Sequence, residues 1–172
     1  DVADELKRKR DELEKNDVAI VLPEPTAPGL EIYTDYTYLH KVINMLADNA
    51  LKFTEKGHVK LDYKRNNNGV LILVEDTGIG FPEEKKTLAF QTFSQTSDQS
   101  RILFGGLGLG LSICAGLLNL MDGEIAIDSE EGKGTAIKVE LPAKVFQDNK
   151  PSTARKGSQN AKCTLLLAED ED

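Results

Sequence analysis

The feature that most restricts this chain is Gly105-Gly106-Leu107-Gly108-Leu109-Gly110-Leu111-Ser112-Ile113, a glycine-rich turn that runs straight into an apolar segment. Leu107, Leu111, Cys114, Leu118 and Met121 recur at helical spacing, which predicts a helix from about Gly106 to Met121 with one face in a core. Glycines at the mouth of that helix leave backbone N–H groups uncovered beside the positive end of its dipole, an arrangement that holds phosphate. Glycine-rich turns also serve plain helix–sheet packing, and the turn alone does not choose between the two. Its upstream neighbours do.

With 172 residues, 40% hydrophobic and 29% charged, the chain is long enough for one domain with a sizeable core and a tail. A net charge of −8 speaks against nucleic acid or an anionic membrane surface as the main partner, so an anionic ligand has to be held by local features. No apolar run reaches transmembrane length, and no signal peptide is present. Two cysteines, Cys114 and Cys163, make no disulfide framework, which fits a cytoplasmic setting. The chain opens on Asp1 rather than Met, and the expectation is a piece of a larger protein.

Residues 1–16 are helix formers with alternating charge and a thin apolar seam of Val2, Leu6 and Leu13. They read equally well as the end of a longer helix or as a solvated surface helix. Val18–Leu22 and Val70–Val74 read as buried strands, the second on both faces; Leu30–Thr34 and residues 58–65 are further strands. Asp35 is a good N-cap for a helix to about Phe53, with Leu39, Val42, Ile43, Leu46, Ala50 and Phe53 as its apolar face. Met45, Asn49 and Lys52 line one edge of that face, while Lys41, Asn44 and Asp48 are expected to point away. An amide oxygen and an ammonium on one half-buried edge suit a ligand, or two satisfied polar groups. Gly57 is expected to end this helix.

The strand 70–74 runs into Glu75-Asp76-Thr77-Gly78-Ile79-Gly80, where an acid and two glycines let a flat ligand approach the backbone. Residues 90–104 are polar with spaced aromatics, the composition of a lid. Residues 124–129 and 135–141 are two more strands. Residues 143–161 shift to linker composition.

In this order, the segment resembles the catalytic, ATP-binding domain of sensor histidine kinases, within the superfamily shared with gyrase, a heat-shock chaperone and the mismatch-repair ATPases. The resemblance covers residues 17–142. It rests on Asn49-Ala50-Leu51-Lys52-Phe53-Thr54, Asp76-Thr77-Gly78-Ile79-Gly80, Phe90-Gln91-Thr92-Phe93-Ser94-Gln95, the glycine turn at 105–110 and Gly132-Lys133-Gly134-Thr135. It implies a two-layer α/β sandwich, a mixed sheet covered on one face by helices. It also implies that Asn49 coordinates Mg²⁺ through its side-chain oxygen and that Lys52 meets the ATP phosphates. Asp76 would accept from the adenine amine and Gly78 and Gly80 would admit the base. Phe90 and Phe93 would anchor the lid and Arg101 would reach the terminal phosphate. Gly106, Gly108, Gly110 and Thr135 complete the nucleotide-binding set.

Two positions depart from the family pattern. Leu107 stands where a threonine is usual, and Met45 where a further asparagine is usual. In the ATPase branch the latter position holds a glutamate that activates water; a thioether takes no proton, so hydrolysis has no evident base. The implied reaction is transfer of the γ-phosphate to a histidine on a separate dimerisation domain. That domain is not in the chain: its two histidines, His40 and His58, read as ordinary surface or structural residues. Residues 1–16 are expected to be the end of its last helix. Residues 162–172, with Leu165-Leu166-Leu167-Ala168-Glu169-Asp170, resemble the start of a receiver domain, the further partner of a hybrid kinase. The competing functions are a non-catalytic ATP-sensing module and a self-contained ATPase of the gyrase or chaperone kind.

Overall fold

The structure, a computed structural model, describes residues 2–23, 30–66, 68–86, 110–142, 144–145 and 162–165. Its elements in chain order are α1 (Val2–Glu12), β1 (Val18–Val21), β2 (Leu30–Tyr33), α2 (Tyr36–Phe53), β3 (Gly57–Asn66), β4 (Gly69–Asp76), a 3₁₀ turn (Glu83–Lys85), α3 (Gly110–Asn119), β5 (Glu124–Glu130), β6 (Gly134–Pro142), β7 (Lys144–Val145) and β8 (Lys162–Leu165). Five strands form a mixed sheet in the order β1-β3-β4-β6-β5, with β1 parallel to β3 and every other pair antiparallel. A smaller antiparallel sheet runs β7-β2-β8. The result is the two-layer α/β sandwich, with α2 packed against the sheet and against α3.

α2 starts where its chemistry asks. The Asp35 carboxylate accepts from the Tyr38 N–H at 3.0 Å, satisfying a first-turn donor. Leu39, Val42, Ile43, Leu46, Ala47, Ala50 and Leu51 are buried along one side of the helix, opposite Val59, Leu61, Val70, Ile72, Val74, Ile137, Val139 and Leu141 of the sheet. The helix closes at Thr54 rather than Gly57: the buried Thr54 hydroxyl donates to Ala50 O at 2.7 Å. Gly57 instead opens β3 at φ 116°, with Thr77 Oγ1 in the space a β-carbon would fill.

The expectation that Val70–Val74 is buried on both faces fails. Val70, Ile72 and Val74 are buried, but Leu71 and Leu73 are half-buried, because helices cover only one face of the sheet. The same one-sidedness exposes Ala19 and Val21 of β1. A continuous apolar run carries no sign of which face is open.

Asn44 and Asp48, expected to point away, are met there by another element. α1 lies against α2, burying Ala3 and Leu6, and supplies partners to both. Asn44 Nδ2 donates to Glu5 Oε2 at 2.9 Å, and Lys9 Nζ pairs with Asp48. His40 Nε2 stands 3.6 Å from the same Glu5 carboxylate and its ring lies 5.3 Å from that of Tyr36. Leu13, by contrast, is 51% exposed and lies outside the seam.

β7 lies within the expected linker, and β8 within the expected receiver strand; both pair with β2. The expected lid, residues 90–104, falls outside the described residues, as does the glycine turn up to Leu109, so α3 is described only from Gly110. No helix among the described residues is long and apolar enough to cross a membrane.

Apolar contact rather than charge holds α1. Lys9 and Asp48 are each part-exposed, and such pairs contribute at most about 1 kcal/mol, whereas truncating a buried leucine costs about 2–5 kcal/mol. Leu6→Ala should therefore lower the urea-unfolding free energy by at least twice as much as Asp48→Ala.

Candidate functional site

The strand order brings Asp76, Thr135 and the C-terminal half of α2 to one end of the sheet. Asp76 is the last residue of β4, half-buried, and registers with Thr135 of β6. Its carboxylate accepts from the Gly78 N–H at 2.8 Å and from the Thr135 backbone N–H. Burial pushes its pKa above the ordinary carboxylate value; the two N–H donors hold it back, the Glu75 charge adds to the rise, and His58 opposes it. The outcome is a carboxylate already oriented by backbone donors and short of water, which raises its worth to a ligand donor.

The loop after Asp76 is clamped between two elements. Ile79 N donates to Phe53 O at 3.1 Å, laying the loop on the end of α2. A β-carbon at Gly78 would sit 2.3 Å from that same Phe53 carbonyl oxygen. On the other side Gly132 N donates to Ile79 O at 2.7 Å, and a β-carbon at Gly80 (φ 56°) would meet Glu130 O at 2.0 Å. What fills the space at these two glycines is therefore protein backbone, a requirement distinct from admitting a base. Gly134 is constrained likewise: its β-carbon would lie 2.0 Å from Asp76 O.

Asn49 is half-buried on α2 and faces the start of α3: a β-carbon on Gly110 would lie 3.3 Å from Asn49 Nδ2 and 3.9 Å from Oδ1. Lys52, exposed one turn further along, has its ammonium 5.4 Å from the centre of the Phe53 ring. Met45 is half-buried and packs against the core. Phe90, Phe93, Arg101, Gly106 and Gly108 lie outside the described residues. Among the described residues no three His, Cys, Asp or Glu side chains converge as a metal cluster. Mg²⁺ bound through one protein oxygen, phosphates and water asks for none. Cys114 is buried and its thiol is pushed up to about 12 by desolvation, so it is no nucleophile.

Sequence reasoning missed Ser129. Its hydroxyl lies 3.0 Å from Phe81 N, 3.1 Å from Gly134 O and 2.9 Å from Thr135 Oγ1. The signal was present: Ile125 and Ile127 set the core-facing parity of β5, and Ser129 breaks it with a buried polar group.

Residues 34–145 match the family described as histidine kinase-, DNA gyrase B-, and HSP90-like ATPase. The autoinducer 2 sensor kinase/phosphatase LuxQ of Vibrio parahaemolyticus is 34% identical over 137 residues, 76% of this chain and 16% of the relative. The sensor histidine kinase RcsC of Escherichia coli is 38% identical over 119 residues, 69% of this chain and 12% of the relative. The chain thus spans less than a fifth of the length of these curated relatives. Among solved structures, full-length ShkA in complex with AMPPNP superposes with a TM-score of 0.66 at 28% identity, over 84% of this chain and 30% of that one. The nucleotide-free catalytic domain of the histidine kinase ThkA gives 0.66 at 27%, over 82% and 90%.

The raised pKa of Asp76 makes two opposite responses to acid testable. If Asp76 accepts from a base amine, the ionised carboxylate is needed, so nucleotide affinity should be full above the raised pKa and fall as pH drops through it. The unliganded fold carries the reverse sign: the buried charge costs stability above the folded pKa, and that cost is relieved as pH falls through it toward the ordinary value. Titrations of affinity and of unfolding midpoint, each taken relative to Asp76→Asn, should slope in opposite directions. Parallel slopes would contradict the assignment.

Proposed function

The chain belongs to the histidine kinase-, DNA gyrase B-, and HSP90-like ATPase family, and on that premise we propose that it is the ATP-binding catalytic part of a protein-histidine kinase acting in two-component signalling. The observation that carries the reading is the Asp76 carboxylate, pre-oriented by two backbone donors at the end of β4 and half-withdrawn from water. A donor-bearing base edge suits such a group.

In this reading Asp76 accepts from the adenine amine and Thr135 stands beside it. Gly78 and Gly80 hold the loop under the base through the backbone contacts described above. Asn49, at the mouth of α3, offers its amide oxygen to Mg²⁺, and Lys52 meets phosphate oxygens. Gly106, Gly108 and Gly110 turn N–H groups to the phosphates, Phe90 and Phe93 anchor the lid, and Arg101 reaches the terminal phosphate. Mg²⁺, when bound, neutralises charge building on the transferring phosphoryl group.

Phosphoryl transfer asks the protein for position and electrostatic support rather than covalent chemistry. Met45 fits that demand by lacking a proton acceptor one turn before Asn49, leaving water without a base and the γ-phosphate for an external nucleophile. That nucleophile is a histidine on a helical dimerisation domain, with α1 the end of its last helix. A receiver domain is the onward acceptor. The setting is cytoplasmic, without contact to nucleic acid or to the membrane surface.

Two measurements test this. With ATP, Mg²⁺ and a purified histidine-bearing dimerisation domain, acid-labile, alkali-stable phosphate should appear on that domain and none on this chain alone. Binding without transfer would favour an ATP-sensing module instead. Asp76→Ala should lose about ten- to a hundredfold in ATP affinity, the worth of a hydrogen bond to a charged group, with its unfolding transition still cooperative. Unchanged affinity would remove Asp76 from the site.

A further inference from the structure

Asp76, Thr135 and Ser129 stand in one transverse row. The register opposes Asp76 to Thr135 across β4 and β6, and Thr135 to Ser129 across β6 and β5. Directly opposed residues share a face of the sheet, so the three side chains line up on the helix-covered side.

The hydrogens along this row can be counted. A serine hydroxyl owns one proton and two acceptor lone pairs. At Ser129 the Phe81 N–H occupies one lone pair, from 3.0 Å. The Gly134 carbonyl can only accept, so at 3.1 Å it takes the proton. The third contact, 2.9 Å to Thr135 Oγ1, is then satisfied only with Thr135 as donor into the remaining lone pair. Ser129 is 6% exposed, so water does not stand in for these partners. Thr135, half-buried beside Asp76, has therefore spent its one proton on Ser129 and keeps only lone pairs to offer a ligand.

We propose that Ser129 is a positioning residue that sets the polarity of the Thr135 hydroxyl, so that the site meets the group at purine position 6 with acceptors and no donor, and favours a 6-amino over a 6-oxo group there. The proposal rests on the reading of Asp76 as the adenine-binding residue. Its physical basis is the cost of facing lone pairs with lone pairs: a site built to receive a donor leaves both partners unpaired when an acceptor takes its place. Were the Thr135 hydroxyl free to rotate, it would donate to a 6-oxo group and recover part of that cost.

The test is equilibrium binding of ATP and of inosine triphosphate, whose base carries a 6-oxo group, to the chain and to Ser129→Ala, Ser129→Thr and Thr135→Val. The wild type is expected to prefer ATP. Ser129→Ala should narrow the preference by about tenfold or more, and Ser129→Thr, which keeps a hydroxyl at the node, should restore it. If Ser129→Ala weakens both nucleotides equally and leaves their ratio unchanged, Ser129 only braces the hairpin and the proposal falls. If the wild type itself shows no preference, it is the adenine reading of Asp76 that fails, and the proposal with it. Should Ser129→Ala not fold, as judged by its thermal transition, Thr135→Val decides, because Ser129 keeps its bonds to Phe81 and Gly134. A narrowed ratio in Thr135→Val supports the proposal and an unchanged one overturns it.

Discussion

Everything in this molecule depends on α2 lying flat on one face of the five-stranded sheet. Seven buried side chains of that helix, from Leu39 to Leu51, meet the inward residues of β3, β4 and β6. At about 25 cal/mol per Å² of apolar surface removed from water, this contact is a large favourable term. It also sets the direction of the helix, and so delivers Asn49, Lys52 and the Phe53 carbonyl to the end of the sheet where β4 stops. The site is a by-product of where the core lets α2 end.

From that point the geometry is set by backbone rather than side chains. The loop from Thr77 to Phe81 is held by Phe53 O below and by Gly132 N and Ser129 Oγ above. Gly78, Gly80 and Gly134 each have a carbonyl oxygen where a β-carbon would go. Three close backbone approaches around one carboxylate leave Asp76 little freedom, and an acceptor that does not reorganise gives up less on binding. Burial raises its pKa, and the two backbone donors work against that rise to keep the ionised form available.

Much of this was legible in the chain itself. The Asp35 cap, the apolar face of α2, the alternation of β3 and the break at Asp76 are local signals, and the structure has all of them. The order of the glycine, asparagine and aspartate motifs pointed to the family that the comparisons identify. The failures share one cause. Val70–Val74 looked doubly buried, and the element that meets Asn44 and Asp48 went unseen, because a linear pattern does not say which faces other elements cover. α1 was ambiguous for the same reason, its apolar seam being two buried residues in eleven. The Ser129–Thr135–Asp76 row was out of reach because β5, β6 and β4 become neighbours only once the strand order is known.

The strand order has one more consequence. β4 and β6 are hydrogen-bonded neighbours along eight opposed pairs, yet the chain leaves the sheet after Asp76 and re-enters it only through α3 and β5. The excursion starts beside Lys86, ion-paired to Glu83 and Asp128, and returns at Gly110 against Asn49. Asp76 and Thr135 are thus brought together across the whole of the intervening chain. Loop-closure entropy has to be met before such a non-local pairing stabilises anything. The end of the sheet where Asp76 meets Thr135 is therefore expected to form late in folding.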